Sequence, residues 1–260
     1  MTNTLLMDKQ SLMTKSQSEM KDKLVISERS KQQKLALTCR ILFAHGHDSG
    51  LTGQITARAE NQEEYYTQPF GHGFDEITTE NLIKVNQDLE VLEGSGMPNP
   101  ANRFHTWVYR ARPDVQCIIH SHPPHISALS MLEIPLKISH MDACMLYDDV
   151  AFLDKWPGVP VGNEEGEIIA EVLGNKRAAL LAHHGLIIAG KSIEESCMLA
   201  IQIERAARLQ LLAQSAGEIK DIEPELGKEA HDWILHDKRS QAGFEYYSRR
   251  VLRSLQLETV

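Results

Sequence analysis

The sequence predicts an α/β protein, a three-layer α/β/α domain around a mainly antiparallel central sheet. Three observations lead there. Short strand-like runs come early and in pairs, separated by the turns a hairpin needs. Helical stretches are inserted later and at irregular intervals, unlike the regular strand and helix alternation of a doubly wound parallel sheet. No phosphate-cradling GxGxxG or GxxxxGK[ST] stretch is present.

The elements follow in order. Residues 1–26 are polar, without a periodicity that could bury a face, and are expected to form a loosely ordered, flexible arm. A helix is predicted from Ser27, as cap, to about Ala44, with Gly46 as its stop. "HDSGLTGQITARAE" and "EYYTQPFGHGF" read as a hairpin, and "NLIKVNQDLEVLEG" as two further short strands around Gln87-Asp88. "NPANRFHTWVYRARPD" has helical spacing and ends at the pre-proline residue Arg112. "VQCIIHSH" is a buried strand ended by Pro123 and Pro124, "PHISALSML" a short helix, and "PLKISH" a further strand. "NEEGEIIAEVLGNK" is a helix closed by Gly174. "RAALLAHHGLIIAG" reads as two apolar strands meeting at Gly185, and a long helix opens at the box formed by Ser192 and Glu195. The division is a main domain over 27–217 and a C-terminal arm over 218–260, packing on that domain or on a neighbouring subunit.

Composition bounds the function. With 260 residues, 42% of them hydrophobic, the chain builds a sizeable core, and 27 Lys and Arg against 36 Asp and Glu argue against nucleic acid as a partner. The polar N-terminus has no signal-peptide core and no stretch approaches a membrane span, so no membrane partner and a cytoplasmic location are expected. Cys39, Cys117, Cys144 and Cys197 are far apart and form no CxxC pair, which leaves any metal chemistry to histidine and carboxylate.

"CIIHSHPPH" puts His120 and His122 two residues apart at the end of a strand, where side chains at i and i+2 leave from one face and aim two imidazoles at one point. The competing structural reading, one ring in solvent and one in the core, has about equal weight for this pair alone. "LLAHHGLIIAG" supplies a third candidate at another strand end: His184, next to Gly185, with His183 pointing away. His125 is a candidate for the pocket wall, and His140 ends a predicted strand. His45, His47, His72, His105, His231 and His236 fit ordinary surface or core roles. Arg103 and Arg110, on a helix, read as surface or ion-pair residues.

Together, "RFHTWVYRARPDVQCIIHSHPP" and "AALLAHHGLIIAG" resemble the class II aldolase/adducin family over roughly residues 27–215. The resemblance implies a divalent metal ion in each subunit, zinc first with manganese, iron and cobalt open, on His120, His122 and His184. It also implies a small-molecule substrate and a homo-oligomer, usually a tetramer, with active sites between subunits.

The sequence departs from the family pattern at informative places. The general acid/base glutamate of the aldolases falls on Ala101, which carries no proton-accepting group. Leu51 and Gln54 stand where threonine and asparagine are usual, Phe70 before Gly71 replaces another polar residue, and Met141 replaces a tyrosine. Tyr147, Tyr246 or Tyr247 are candidates to replace that proton donor. The expected pocket therefore draws on Gln54, Phe70, Gly71, His125 and Tyr147, and the catalytic acid/base is unassigned. The expected activity is that of a metal-dependent carbon–carbon lyase on a non-phosphorylated hydroxy, oxo or aromatic acid, with decarboxylation favoured over retro-aldol cleavage. A non-haem iron oxygenase and a non-catalytic adducin-like module are the alternatives.

Overall fold

The structure, a computed structural model, describes residues 4–257. Its framework is one eight-stranded sheet in the order β4-β3-β2-β1-β5-β8-β7-β6. The hairpin β1 (Gln54–Arg58) and β2 (Tyr65–Thr67) closes over an Asn61 turn, whose side-chain oxygen accepts from the Glu63 amide. The next pair, β3 (Ile83–Val85) and β4 (Val91–Glu93), turns where Asn86 accepts from the amides of Asp88 and Glu90. Asn is favoured at such turns because its short side chain bonds the nearby backbone.

The centre of the sheet is β5 (Cys117–Ser121) between β1 and β8 (Gly185–Gly190), followed by β7 (Ala178–Leu181) and β6 (Val150–Leu153). All neighbouring strands pair antiparallel except β6 and β7. That pair is parallel because helix α5 (Asn163–Leu173) carries the chain back between them, the crossover that parallel strands need. The expected mainly antiparallel sheet thus holds at every pair but this one.

Strand alternation divides the core. Ile118 packs on the side of α3 (Asn102–Ala111) and α5, with Phe104, Val108, Ile169 and Leu173. Cys117 and Ile119 face the other side, where α2 (Lys31–Ala44) and α6 (Ile193–Ala216) bring Leu35, Leu42, Leu199 and Ile203. Phe244 and Val251 of α8 (Asp237–Leu255) pack on Leu37, Ile41, Cys197 and Ile201 of this same chain. All four cysteines are buried free thiols.

Several local expectations need correction. Helix α2 is capped by Ser30, not Ser27: Ser30 accepts from the Gln33 amide while Gln33 returns the bond, and the Ser27 hydroxyl instead donates to Glu245. Residues 9–23, inside the segment read as loosely ordered, form helix α1 (Lys9–Lys23), capped by Asp8 and with no buried residue. It rests on capping and on unbranched helix formers rather than on an amphipathic face, which is why periodicity missed it. "PLKISH" is not a strand, because the Gln210 side chain takes the Lys137 amide and the Pro135 carbonyl and leaves no ladder to extend. The edge position goes to β6, preceded by a 3-10 helix over Met141–Leu146. Helix α4 (Pro124–Met131) opens with proline as expected, and α7 (Pro224–Ile234) and α8 form the C-terminal segment. At α6, Ser192 caps the Glu195 amide, but the Glu195 carboxylate accepts from the Lys191 amide rather than closing the box. Among the described residues no helix is long and apolar enough to cross a membrane.

Candidate metal centre

Two strand ends meet at one end of the central strands, on the α3 side. β5 runs out through His120 and Ser121 to His122, and the β7–β8 turn brings in His184. The ligand-type nitrogens of His120, His122 and His184 all lie within 4.8 Å of one another, and ring centroids are 4.7–4.8 Å apart. His183, by contrast, sits at φ +54°, the left-handed conformation a tight turn demands, and its Nε2 meets the Glu133 carboxylate at 2.7 Å. That backbone twist sends the two adjacent imidazoles in different directions.

The partners of the rings fix their tautomers. His120 Nδ1 donates to the Leu186 carbonyl at 2.7 Å, leaving the Nε2 lone pair free. The Thr52 hydroxyl gives its proton to the Ser49 carbonyl at 2.8 Å, so its oxygen accepts from His122 Nδ1 at 3.2 Å and the His122 Nε2 lone pair is free as well. The two Nε2 atoms are 2.9 Å apart. With both protons committed elsewhere, two lone pairs face one another, an arrangement that a shared cation relieves and that a hydrogen bond does not satisfy.

Electrostatics agree. Burial pushes the His120 imidazolium well below the ordinary value, with His184 and His122 adding to the effect. Burial lowers His122, and burial followed by the nearness of His122 takes His184 down to about 4. Neutral imidazoles are the form that binds metal, and a set of three leaves coordination positions open, as zinc, iron or cobalt chemistry requires. The residues present therefore fit a divalent ion.

Three supporting features were not legible in sequence. A Cβ on Gly185 would run into the His122 ring and come within 2.6 Å of the Ser121 carbonyl, so only glycine lets β8 start beneath that imidazole. Phe104 presses edge-on to His120 at 5.1 Å between ring centroids. Thr52 holds His122 from a loop far away in sequence; its hydroxyl in a glycine-flanked turn was the one signal available.

The expected pocket residues separate into two groups. Gln54 is the cross-strand partner of His120 and so shares its face; its Nε2 donates to the Thr52 carbonyl, and its buried Oε1 has no donor. Phe70 and Gly71 stand exposed on the loop after β2, at the same end of the strands. Ala101 lies at the N-terminus of α3, with no side-chain cap bond. The structure does not bring His125 or Tyr147 to the three nitrogens. His125 Nδ1 turns to Glu204 of α6 at 2.5 Å, on the far side of the sheet from α3. Tyr147 precedes β6 at the opposite end of the strands, its ring against Gly227 of α7. His140 accepts from the Asp142 amide at the start of the 3-10 helix and joins no metal cluster among the described residues. Met141 is exposed at that position.

Residues 33–211 match the family model described as class II aldolase and adducin N-terminal domain, and the chain belongs to that family. It is 34% identical to the decarboxylase NovR of Streptomyces niveus over 69% of this chain and 67% of that one. It is 33% identical to a 4-hydroxy-3-prenylphenylpyruvate oxygenase/4-hydroxy-3-prenylbenzoate synthase of Streptomyces roseochromogenus, over 69% of this chain and 66% of that one. The chain thus spans about two thirds of the length of these two relatives. Among solved structures, L-fuculose 1-phosphate aldolase from Glaciozyma antarctica superposes with a TM-score of 0.79 at 30% identity, covering 87% of this chain and 90% of the other.

Proposed function

We propose that the protein is a divalent-metal-dependent carbon–carbon lyase acting on a small, non-phosphorylated hydroxy, oxo or aromatic acid, with decarboxylation favoured over retro-aldol cleavage. The observation that carries this is the pair of facing Nε2 lone pairs at 2.9 Å, with His184 alongside. A divalent cation on these nitrogens supplies a Lewis acid that draws off the electron pair released when a carbon–carbon bond breaks.

The chain supplies the rest. The Leu186 carbonyl and the Thr52 hydroxyl hold two imidazoles in the ligating tautomer, and burial keeps all three neutral. Ala101 and Met141 offer no titratable group, which favours a reaction that needs no removal of a hydroxyl proton. The relative named as a decarboxylase supports the same direction. The similarity to a sugar-phosphate aldolase is one of fold and overall sequence; Leu51 and Phe70 add bulk without hydrogen-bond donors beside the histidines. A class II aldolase/adducin-like domain over 27–217 between two arms, a homotetramer and a cytoplasmic setting complete the proposal.

A second reading, a non-haem iron oxygenase, draws on the relative whose name includes an oxygenase and on the same three nitrogens. Metal analysis of the purified protein, followed by assays of CO₂ and aldehyde release from hydroxy and oxo acids with and without O₂, tests both. Anaerobic CO₂ release from a stoichiometrically metallated protein is expected. Turnover that stops without O₂ selects the oxygenase, rapid sugar-phosphate cleavage overturns the substrate assignment, and a metal-free protein with no activity leaves the adducin-like module.

A further inference from the structure

Three loops converge at the end of the central strands beside His122. The turn before β1 carries Leu51 and Thr52, and Thr52 touches His122 directly. The Asn99 side chain donates to the Leu51 carbonyl at 3.3 Å, tying that turn to the segment leading into α3. The Phe70 amide donates to the Met97 carbonyl at 2.7 Å, and Pro69 bridges to Pro98, tying the loop after β2 to the same segment. Hydrogen bonds thus tie together the segments that carry Leu51, Phe70 and Met97, and these residues are 45%, 43% and 51% exposed. Three large apolar residues exposed on hydrogen-bonded loops beside the histidine cluster are a feature that needs an occupant.

The polar groups at its base set the occupant's charge. Gln54 Nε2 is committed to the Thr52 carbonyl, which fixes the amide orientation and leaves Oε1 without a donor. Asn102 Nδ2 donates to Thr67 Oγ1, whose proton goes to the Ile55 carbonyl, so Asn102 Oδ1 is likewise an acceptor without a donor. Both side chains are buried. Both oxygens are closed to solvent and are acceptors only, so this wall offers an anionic group no hydrogen-bond donor and leaves an apolar group undisturbed.

Resting on the metal reading above, we propose that Leu51, Phe70 and Met97 form the specificity platform of the site, and that the substrate acid carries an aryl or comparably bulky apolar group, with no second anionic group, on that platform. The metal-binding oxygens of the substrate then lie at the histidines and its apolar body over the three side chains.

Hydroxamates, which chelate zinc through two oxygens, are suitable probes for the zinc-loaded full chain. Titration calorimetry would compare acetohydroxamate, benzohydroxamate and 4-carboxybenzohydroxamate, with zinc content measured alongside. Benzohydroxamate is expected to bind roughly tenfold tighter than acetohydroxamate, as burial of part of a phenyl ring predicts, and tighter than its carboxylated analogue. In a Leu51→Ala, Phe70→Ala, Met97→Ala variant the first gap should shrink to about twofold, with acetohydroxamate binding and zinc content unchanged. Equal binding of all three probes, tightest binding of the carboxylated one, or a variant that changes oligomeric state while keeping the phenyl preference would overturn the platform and leave the metal site intact. A wild-type protein that fails to retain zinc would instead bring down the metal reading, and the platform with it.

Discussion

Histidines stand at both ends of the central sheet, and their surroundings are opposite. At the β5 and β8 end, three imidazoles meet one another with no carboxylate among them, and each is held below its ordinary proton affinity by burial. At the other end, His231 of α7 lies 3.6 Å from Asp149 and 2.9 Å from Asp232, and the Asp149 carboxylate first of all raises its pKa. Asp149 is buried, which would raise its own pKa, yet His231 and Arg177 hold it below the ordinary value. One end keeps imidazole neutral, the form that can bind a cation. The other favours the protonated form, in a contact that links α7 to the edge strand through Asp149. The same side chain serves two purposes because its neighbours decide which protonation state is stable.

The sharpest way to break this contrast is to remove a ligand. His122→Ala should lower metal affinity by roughly a hundredfold or more, read as loss of stoichiometric zinc after dialysis, while secondary structure by circular dichroism is retained. Gly185→Ala comes next, since the added carbon displaces both the His122 ring and the Ser121 carbonyl. A loss of about 2–3 kcal/mol in chemical denaturation, together with weakened metal binding, is expected. Unchanged metal affinity in that variant would show that His122 does not need its observed seat.

Thr52→Val should cost roughly tenfold in metal affinity and free His122 to carry its proton on Nε2, visible as a tautomer change in nitrogen NMR of the metal-free protein; Thr52→Ser should restore both. In the metal-free protein, pH separates the two ends. His184 has a folded pKa of about 4 against an ordinary 6.5, so the folded state holds fewer protons across that interval, and stability should fall as pH drops from 6.5 toward 4. His231 has the opposite sign: its contribution is complete below 6.5 and is lost as pH rises through its higher folded pKa. His231→Gln is therefore the smallest effect, about 0.5 kcal/mol near pH 6 and vanishing in alkali, and a pH-independent difference would refute the charged contact.

Much of the site was legible because strand geometry is periodic. His120 and His122 share a face by the two-residue repeat, and the turn at Gly185 marked a second strand end. The hairpins, the helix α3 and the long helix α6 followed from turn residues and spacing in the same way. Interactions between distant residues were not legible. Nothing local in "PLKISH" announces that Gln210 will claim its backbone, nor in "SERSKQQ" that Ser27 will be drawn away to Glu245 and leave the cap to Ser30.

The sequence by itself determined the alternation of elements, the apolar strands that must be buried, and the residue types capable of holding a cation, since these depend on chemistry and on spacing along one chain. The choice of His184 over His183 was also legible, and the structure adds its cause, a left-handed backbone step at the β7–β8 turn; only the tertiary structure decided that His125 and Tyr147 go to α6 and α7 instead. It also decided which tautomers His120 and His122 adopt, because the Leu186 carbonyl and the Thr52 hydroxyl arrive from other strands and loops. Spacing limits where a side chain can point, whereas its proton and its partner depend on what the fold places within about 3 Å.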